Sequence, residues 1–109
     1  MSEWVKVADM KELARRRKKV VNVDGEDVVL FAAGEKVYAL RDTCIHEQRS
    51  LAKGTLFNGR VICPGHQWQF DLASGWEETQ ERCQPTYEVK VEGDEVHLNT
   101  QQRVLAEND

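Results

Sequence analysis

At 109 residues the chain has room for one domain with one modest core. Hydrophobic content of 40% and charged content of 31% exclude wholesale disorder. A formal net charge of -4 argues against a nucleic-acid partner, which would need a basic face. The start Met1-Ser2-Glu3-Trp4 has neither the basic n-region nor the apolar h-region of a secretory signal. No apolar run approaches the ~20 residues of a membrane span, so a cytoplasmic protein with no membrane contact is expected.

In chain order the sequence reads as short strands separated by turns. Residues 4–7 alternate apolar and polar, and residues 9–13 predict a single helical turn. A strand over 18–23, the turn Asp24-Gly25 and a return strand over 28–32 form a predicted hairpin. Ala33-Gly34 turns the chain into a strand over 36–40. Residues 55–57, the turn Asn58-Gly59 and residues 60–63 give the strongest local hairpin signal in the chain. A strand over 67–71 follows, then a turn at Ala73-Ser74-Gly75. Residues 87–91, Gly93-Asp94 and residues 95–98 make the last hairpin, before a polar tail at 100–109 that is expected to fray. Strands this short and turns this regular predict an all-β sandwich or barrel, one domain over 1–109 with its core at about 4–99.

Two runs carry the chemistry. Cys44-Ile45-His46 and Cys63-Pro64-Gly65-His66 use two of the three cysteines and two of the three histidines, with sixteen residues between the runs. Each run supplies one thiolate and one imidazole, and together they make a four-ligand metal site. Each also hangs from a hairpin-like pair of strands, so both can meet at one tip. A structural zinc site takes the same four atom types, but usually groups its cysteines in one run and its histidines in another. A mixed pair of runs instead gives a soft Cys pair to one iron and a His pair to a second, the division that a Rieske [2Fe–2S] cluster requires.

The chain resembles the small Rieske ferredoxins in this C-x-H and C-P-x-H pattern. The likeness extends to Tyr38 and Leu40-Arg41-Asp42-Thr43, to Gly54-Thr55-Leu56, to Phe70-Asp71 with Ser74-Gly75, and to the run Pro85-Thr86-Tyr87-Glu88-Val89-Lys90-Val91. The resemblance implies a β-sandwich or barrel with a two-loop cluster-binding subdomain at one tip. It implies one [2Fe–2S] cluster per chain, with Cys44 and Cys63 on an inner iron and His46 and His66 on an outer iron near the surface. It further implies a monomeric one-electron carrier with no catalytic site of its own. Such a carrier takes electrons from an NAD(P)H-dependent flavoprotein reductase and delivers them to a terminal aromatic-ring hydroxylating oxygenase. Two other readings stay open: a Rieske-like small subunit of a nitrite reductase or other redox complex, and a zinc-bound structural module.

The remaining conspicuous residues read as structural. The basic run Arg15-Arg16-Arg17-Lys18-Lys19 is expected to be a solvated strand entrance or loop, with an electrostatic docking patch as the functional alternative. His97 alternates with Val96 and Leu98 and belongs on a polar strand face. Cys83 is read as a structural or free thiol, and Trp68 and Phe70 as packing residues on one strand face. Glu77, Glu78 and Glu81 are expected to keep a loop solvated, with a negative patch that binds a reductase or oxygenase as the functional alternative. Compared with respiratory Rieske proteins, Arg49 and Gly65 stand where a loop-joining disulfide is found, and Trp68 and Phe70 where hydroxyl donors face the cluster sulfurs. That difference implies a low-potential cluster, toward about -150 mV.

Overall fold

The computed structural model describes residues 3–34, 36–45, 49–64 and 68–103. The strands are β1 (Trp4–Asp9), β2 (Lys18–Val23), β3 (Glu26–Ala33), β4 (Lys36–Arg41), β5 (Thr55–Phe57), β6 (Arg60–Ile62), β7 (Gln69–Asp71), β8 (Trp76–Glu77), β9 (Arg82–Cys83), β10 (Thr86–Tyr87), β11 (Val89–Glu92) and β12 (Glu95–Asn99). A helix, α1 (Met10–Arg16), follows β1, and a 3₁₀ turn spans Leu51–Lys53. The strands form four small sheets in the orders β1-β12-β11, β10-β4-β3-β2, β5-β6-β7 and β8-β9.

The organising element is β3. Its central residues Val28, Val29, Leu30 and Phe31 are all buried. Because strand side chains alternate between faces, Val28 and Leu30 enter one core while Val29 and Phe31 enter another. Its neighbour β4 divides the same way, sending Val37 and Ala39 to the first core and Leu40 to the second. The four-stranded sheet is therefore a partition. On one side lies a mostly aliphatic core, with Tyr87 its one buried ring among the described residues, closed by Leu13 of α1 and by Ala8, Val96 and Leu98 of the β1-β12-β11 sheet. On the other lies a core built from Leu51, Val61, Phe70 and Leu72 together with Cys44 and Cys63. Burying a strand on both faces in this way requires an unbroken apolar run, which the sequence of β3 supplies.

The hairpins fall where their turns predict. Asp24 and Gly25 both have positive φ (51° and 86°), as do Asn58 and Gly59 (49° and 75°), the geometry of a two-residue type I′ turn. Elsewhere the structure corrects the sequence reading. The helical turn expected at 9–13 is a seven-residue helix ending at Arg16, and Arg17 caps it at φ 68° by donating its N–H to Leu13 O at 2.6 Å. Arg15 and Arg16 then lie in its last turn, where positive charge favours the helix. Lys19 Nζ reaches Val7 O at 3.1 Å and Glu12 at 3.0 Å, and Lys18 Nζ donates to Ala52 O. Thus the basic run spans the end of a helix and the start of a strand, and its lysines make intramolecular contacts.

The strand expected at 87–91 is two strands that break at Glu88. Thr86 and Tyr87 pair with Leu40 and Ala39 of β4, whereas the chain from Val89 onward pairs with β12. One continuous alternation in sequence serves two ladders because the chain changes sheet at the exposed Glu88. The tail expected to fray from 100 is docked as far as Arg103, which exchanges both backbone hydrogen bonds with Thr86 at 2.7 and 2.8 Å. Gln102 adds a bond to the Tyr87 hydroxyl at 3.0 Å. Residues 104–109 of that predicted tail lie outside the described residues.

Candidate metal centre

The two predicted ligand runs are closed in the same way. The Cys44 N–H donates to Arg49 O at 2.9 Å, and the Cys63 N–H donates to Trp68 O at 2.7 Å. Each cysteine thus ties itself to the carbonyl five positions further along. A ladder pair lies beside each closure: the Thr43↔Ser50 bridge flanks the first, and Ile62↔Gln69 in β6-β7 flanks the second. His46 and His66 fall in sequence between these closures, and both lie outside the described residues, as do Gly65 and Gln67.

The two cysteines come together in the core. Cys44 is 3% exposed and Cys63 1%, and both belong to the second buried cluster with Leu51, Val61 and Phe70. Gly54 helps to bring the loops side by side. A Cβ there would lie 2.2 Å from Ile62 O, so only glycine lets the chain leaving the first loop pass against the residue before Cys63. Among the described residues no group of three or more His, Cys, Asp or Glu side chains gathers as a metal site.

Three buried polar side chains support these loops, a role that the sequence suggested for none of them. Asp42 takes the Ser50 hydroxyl at 2.7 Å and the Ala52 N–H at 2.9 Å, fixing the exit of the first loop. Gln84 accepts the Ile45 N–H at 2.9 Å and donates to Arg41 O and Thr43 O, each at 2.7 Å. Glu77 overturns its expectation as a solvated loop residue, since it is 2% exposed. Its carboxylate accepts the Gln69 N–H, and also the Thr79 N–H at 2.7 Å and the Thr79 hydroxyl at 2.6 Å. Burial would push this carboxyl up, but the Thr79 hydroxyl and the N–H groups of Gln69, Thr79 and Gln80 hold it below the ordinary carboxyl range. The segment around it was missed as structure because β8 and β9 are two residues each and rich in polar residues. Only their tertiary setting identifies them.

Other residues sit as the sequence suggested. Trp68 and Phe70 pack with ring centroids 6.2 Å apart and belong to the cysteine-bearing core. Cys83 is buried, its thiol 3.2 Å from Ser74 O, which fits a structural role. His97 lies in β12, whose Val96 and Leu98 belong to the core without the cysteines, and meets Glu95 at 3.1 Å.

Residues 3–90 match the Rieske [2Fe-2S] domain family, and the chain belongs to it. It is similar to Ferredoxin CarAc of Metapseudomonas resinovorans, with 32% identity over 100 residues covering 87% of this chain and 92% of that one. It is also similar to the ferredoxin component of the naphthalene 1,2-dioxygenase system of Pseudomonas aeruginosa, at 27% over 103 residues, covering 89% and 95%. Among solved structures, a chain in the complex of reduced oxygenase and oxidized ferredoxin in carbazole 1,9a-dioxygenase superposes with a TM-score of 0.82 at 27% identity, covering 93% of this chain and 96% of that one. Membership of this family implies one Rieske cluster per chain. A pair of buried thiols at the bases of two closed loops, both in one core cluster, is a donor set that fits it.

Proposed function

We propose that this protein is the ferredoxin of an aromatic-ring hydroxylating dioxygenase system. It takes electrons from an NAD(P)H-dependent flavoprotein reductase and passes them to a terminal oxygenase, and it performs no catalysis itself. The observation that carries the reading is the matched pair of loops, each closed by its cysteine N–H and each delivering its thiol into one buried cluster. Bound there, a [2Fe–2S] cluster supplies reversible one-electron acceptance at a Rieske-type potential.

The chain's own residues do the rest. Cys44 and Cys63 would hold one iron from the buried side, and His46 and His66 the other. Leu51, Val61 and Phe70, each 0% exposed, keep water from the thiol side of the site. The low local dielectric this creates raises the cost of adding negative charge there, so the histidine side is the natural place for exchange with a partner. The one-domain reading over 1–109 is supported by β3, which lines both cores. Among the described residues no helix is long and apolar enough to cross a membrane. A carrier meeting a reductase and an oxygenase in turn would work in the cytoplasm as a monomer, through small transient interfaces.

Iron and sulfide content, with the low-temperature EPR spectrum, tests the assignment. The purified protein, once reduced by one electron, is expected to show a Rieske signal that disappears in His66→Ala and persists in His97→Ala. A normal signal from His66→Ala would overturn the ligand set. A cluster that the flavoprotein reductase reduces but the oxygenase does not reoxidise would overturn the dioxygenase role.

A further inference from the structure

The β8-β9 hairpin contributes two buried side chains, and each is turned onto a different ligand loop. Gln84, 0% exposed, uses both amide hydrogens on Arg41 O and Thr43 O and its oxygen on the Ile45 N–H. Those three partners bracket Cys44 on both sides. Glu77 divides its two oxygens between the Gln69 N–H and Thr79. Gln69 directly follows Trp68, whose carbonyl closes the Cys63 loop. The hairpin is itself anchored: the Gln84 N–H donates to Gly75 O at 2.7 Å, and the Arg41 N–H donates to Pro85 O at 2.9 Å. Gly75 has φ 78° and approaches so closely that a Cβ would sit 2.1 Å from Gln84 O.

The chemistry of these contacts is specific. Gln84 serves backbone groups at the end of β4 and the start of the first loop, sharing Thr43 O with the Arg41 Nε–H at 3.1 Å, and a buried polar backbone group left short of partners is costly. One side chain that offers two donors and an acceptor matches two carbonyls and an N–H that point at a common place. No apolar residue of the same volume does so.

We propose that this hairpin is a positioning element for both ligand loops, with Gln84 setting the first and Glu77 the second, so that the separation of the two thiols is fixed from outside the loops. The inference rests on the reading that these loops carry the cluster. It makes Gln84 and Glu77 positioning residues, each acting through the backbone of one loop.

The test is hydrogen exchange by mass spectrometry, with EPR, on the cluster-bearing protein. Gln84→Met keeps the volume and removes the hydrogen bonds, Glu77→Gln leaves one side of that contact facing donor to donor, and Val96→Ala loosens the other core. Gln84→Met is expected to speed exchange over residues 41–45 by at least roughly tenfold, leave 61–70 unchanged, and broaden or shift the EPR g-values. Glu77→Gln should do the reverse, speeding 61–70 and sparing 41–45. Val96→Ala should lower the melting temperature without favouring either loop. Wild-type exchange and g-values in Gln84→Met, or both loops loosening equally in all three variants, would overturn the positioning role. Absence of a Rieske signal in the wild type would instead overturn the electron-carrier reading, because the loop-specific exchange pattern is measurable on the chain alone.

Discussion

The two cores on either side of the β10-β4-β3-β2 sheet are held by different means. The core shared with α1 and the β1-β12-β11 sheet is mostly aliphatic, and long ladders frame it, such as β2-β3 from Lys18↔Phe31 to Val23↔Glu26. Opposite the shared sheet, the cysteine-bearing core is framed by the three-residue strands β5, β6 and β7 and their connections, and buried Asp42, Glu77 and Gln84 stitch it together. Backbone that must leave its ladder to reach a metal cannot satisfy its own hydrogen bonds, so side chains supply them. The first core stabilises the scaffold, while the second spends its polar groups on shape. Loop-borne sites on a rigid sheet commonly divide the work in this way.

Matched truncations in the two cores test that division most strongly. Leu30 and Leu51 are both fully buried, Leu30 in the scaffold core and Leu51 at the exit of the first loop. Each Leu→Ala change is expected to cost about 2–5 kcal/mol of folding stability. Only Leu51→Ala should also hasten loss of iron to a chelator at temperatures where the protein stays folded. Equal iron retention in the two variants would show that the cores are not functionally distinct.

A smaller change sharpens the electrostatics of the second core. Phe70 is 0% exposed and lies among the residues that surround both cysteines. In Phe70→Tyr a hydroxyl donating to a cluster sulfur would stabilise the reduced form by about 1.5–3 kcal/mol. At about 59 mV per 1.4 kcal/mol, the reduction potential rises by roughly 65–130 mV. Voltammetry on wild type and variant gives both numbers, and a wild-type potential well above zero would contradict the low-potential assignment.

The smallest expected effect is an acid limit set by Glu77. Its carboxyl is held below its ordinary value, so the folded state binds this proton less readily than the unfolded state does. Its contribution is therefore complete above the unfolded carboxyl value of about 4.3 and is lost as pH falls through the lower folded value. Chemical denaturation from pH 6 down to pH 3 should show wild type losing more stability than Glu77→Gln. At neutral pH the variant should be weaker by about 1–3 kcal/mol. Parallel curves for the two proteins would remove the charged carboxylate from the account.

Much of the architecture was legible in the sequence because it is encoded locally. The Asp24-Gly25 and Asn58-Gly59 turns, the doubly apolar run of β3 and the two Cys/His runs each carry their meaning within a few residues. Those features determined the all-β class, the hairpins and the likeness to the Rieske family. Tertiary structure alone decided which strand of the 86–92 stretch joins which sheet, that the tail to Arg103 is docked, and that Glu77 is buried. Glu77 and Gln84 read as surface polar residues in any local window. Their role exists only because backbone groups around residues 41–45 and at Gln69, distant in sequence, arrive beside them with hydrogen-bonding capacity to spare, and no composition or period records such a group on another segment.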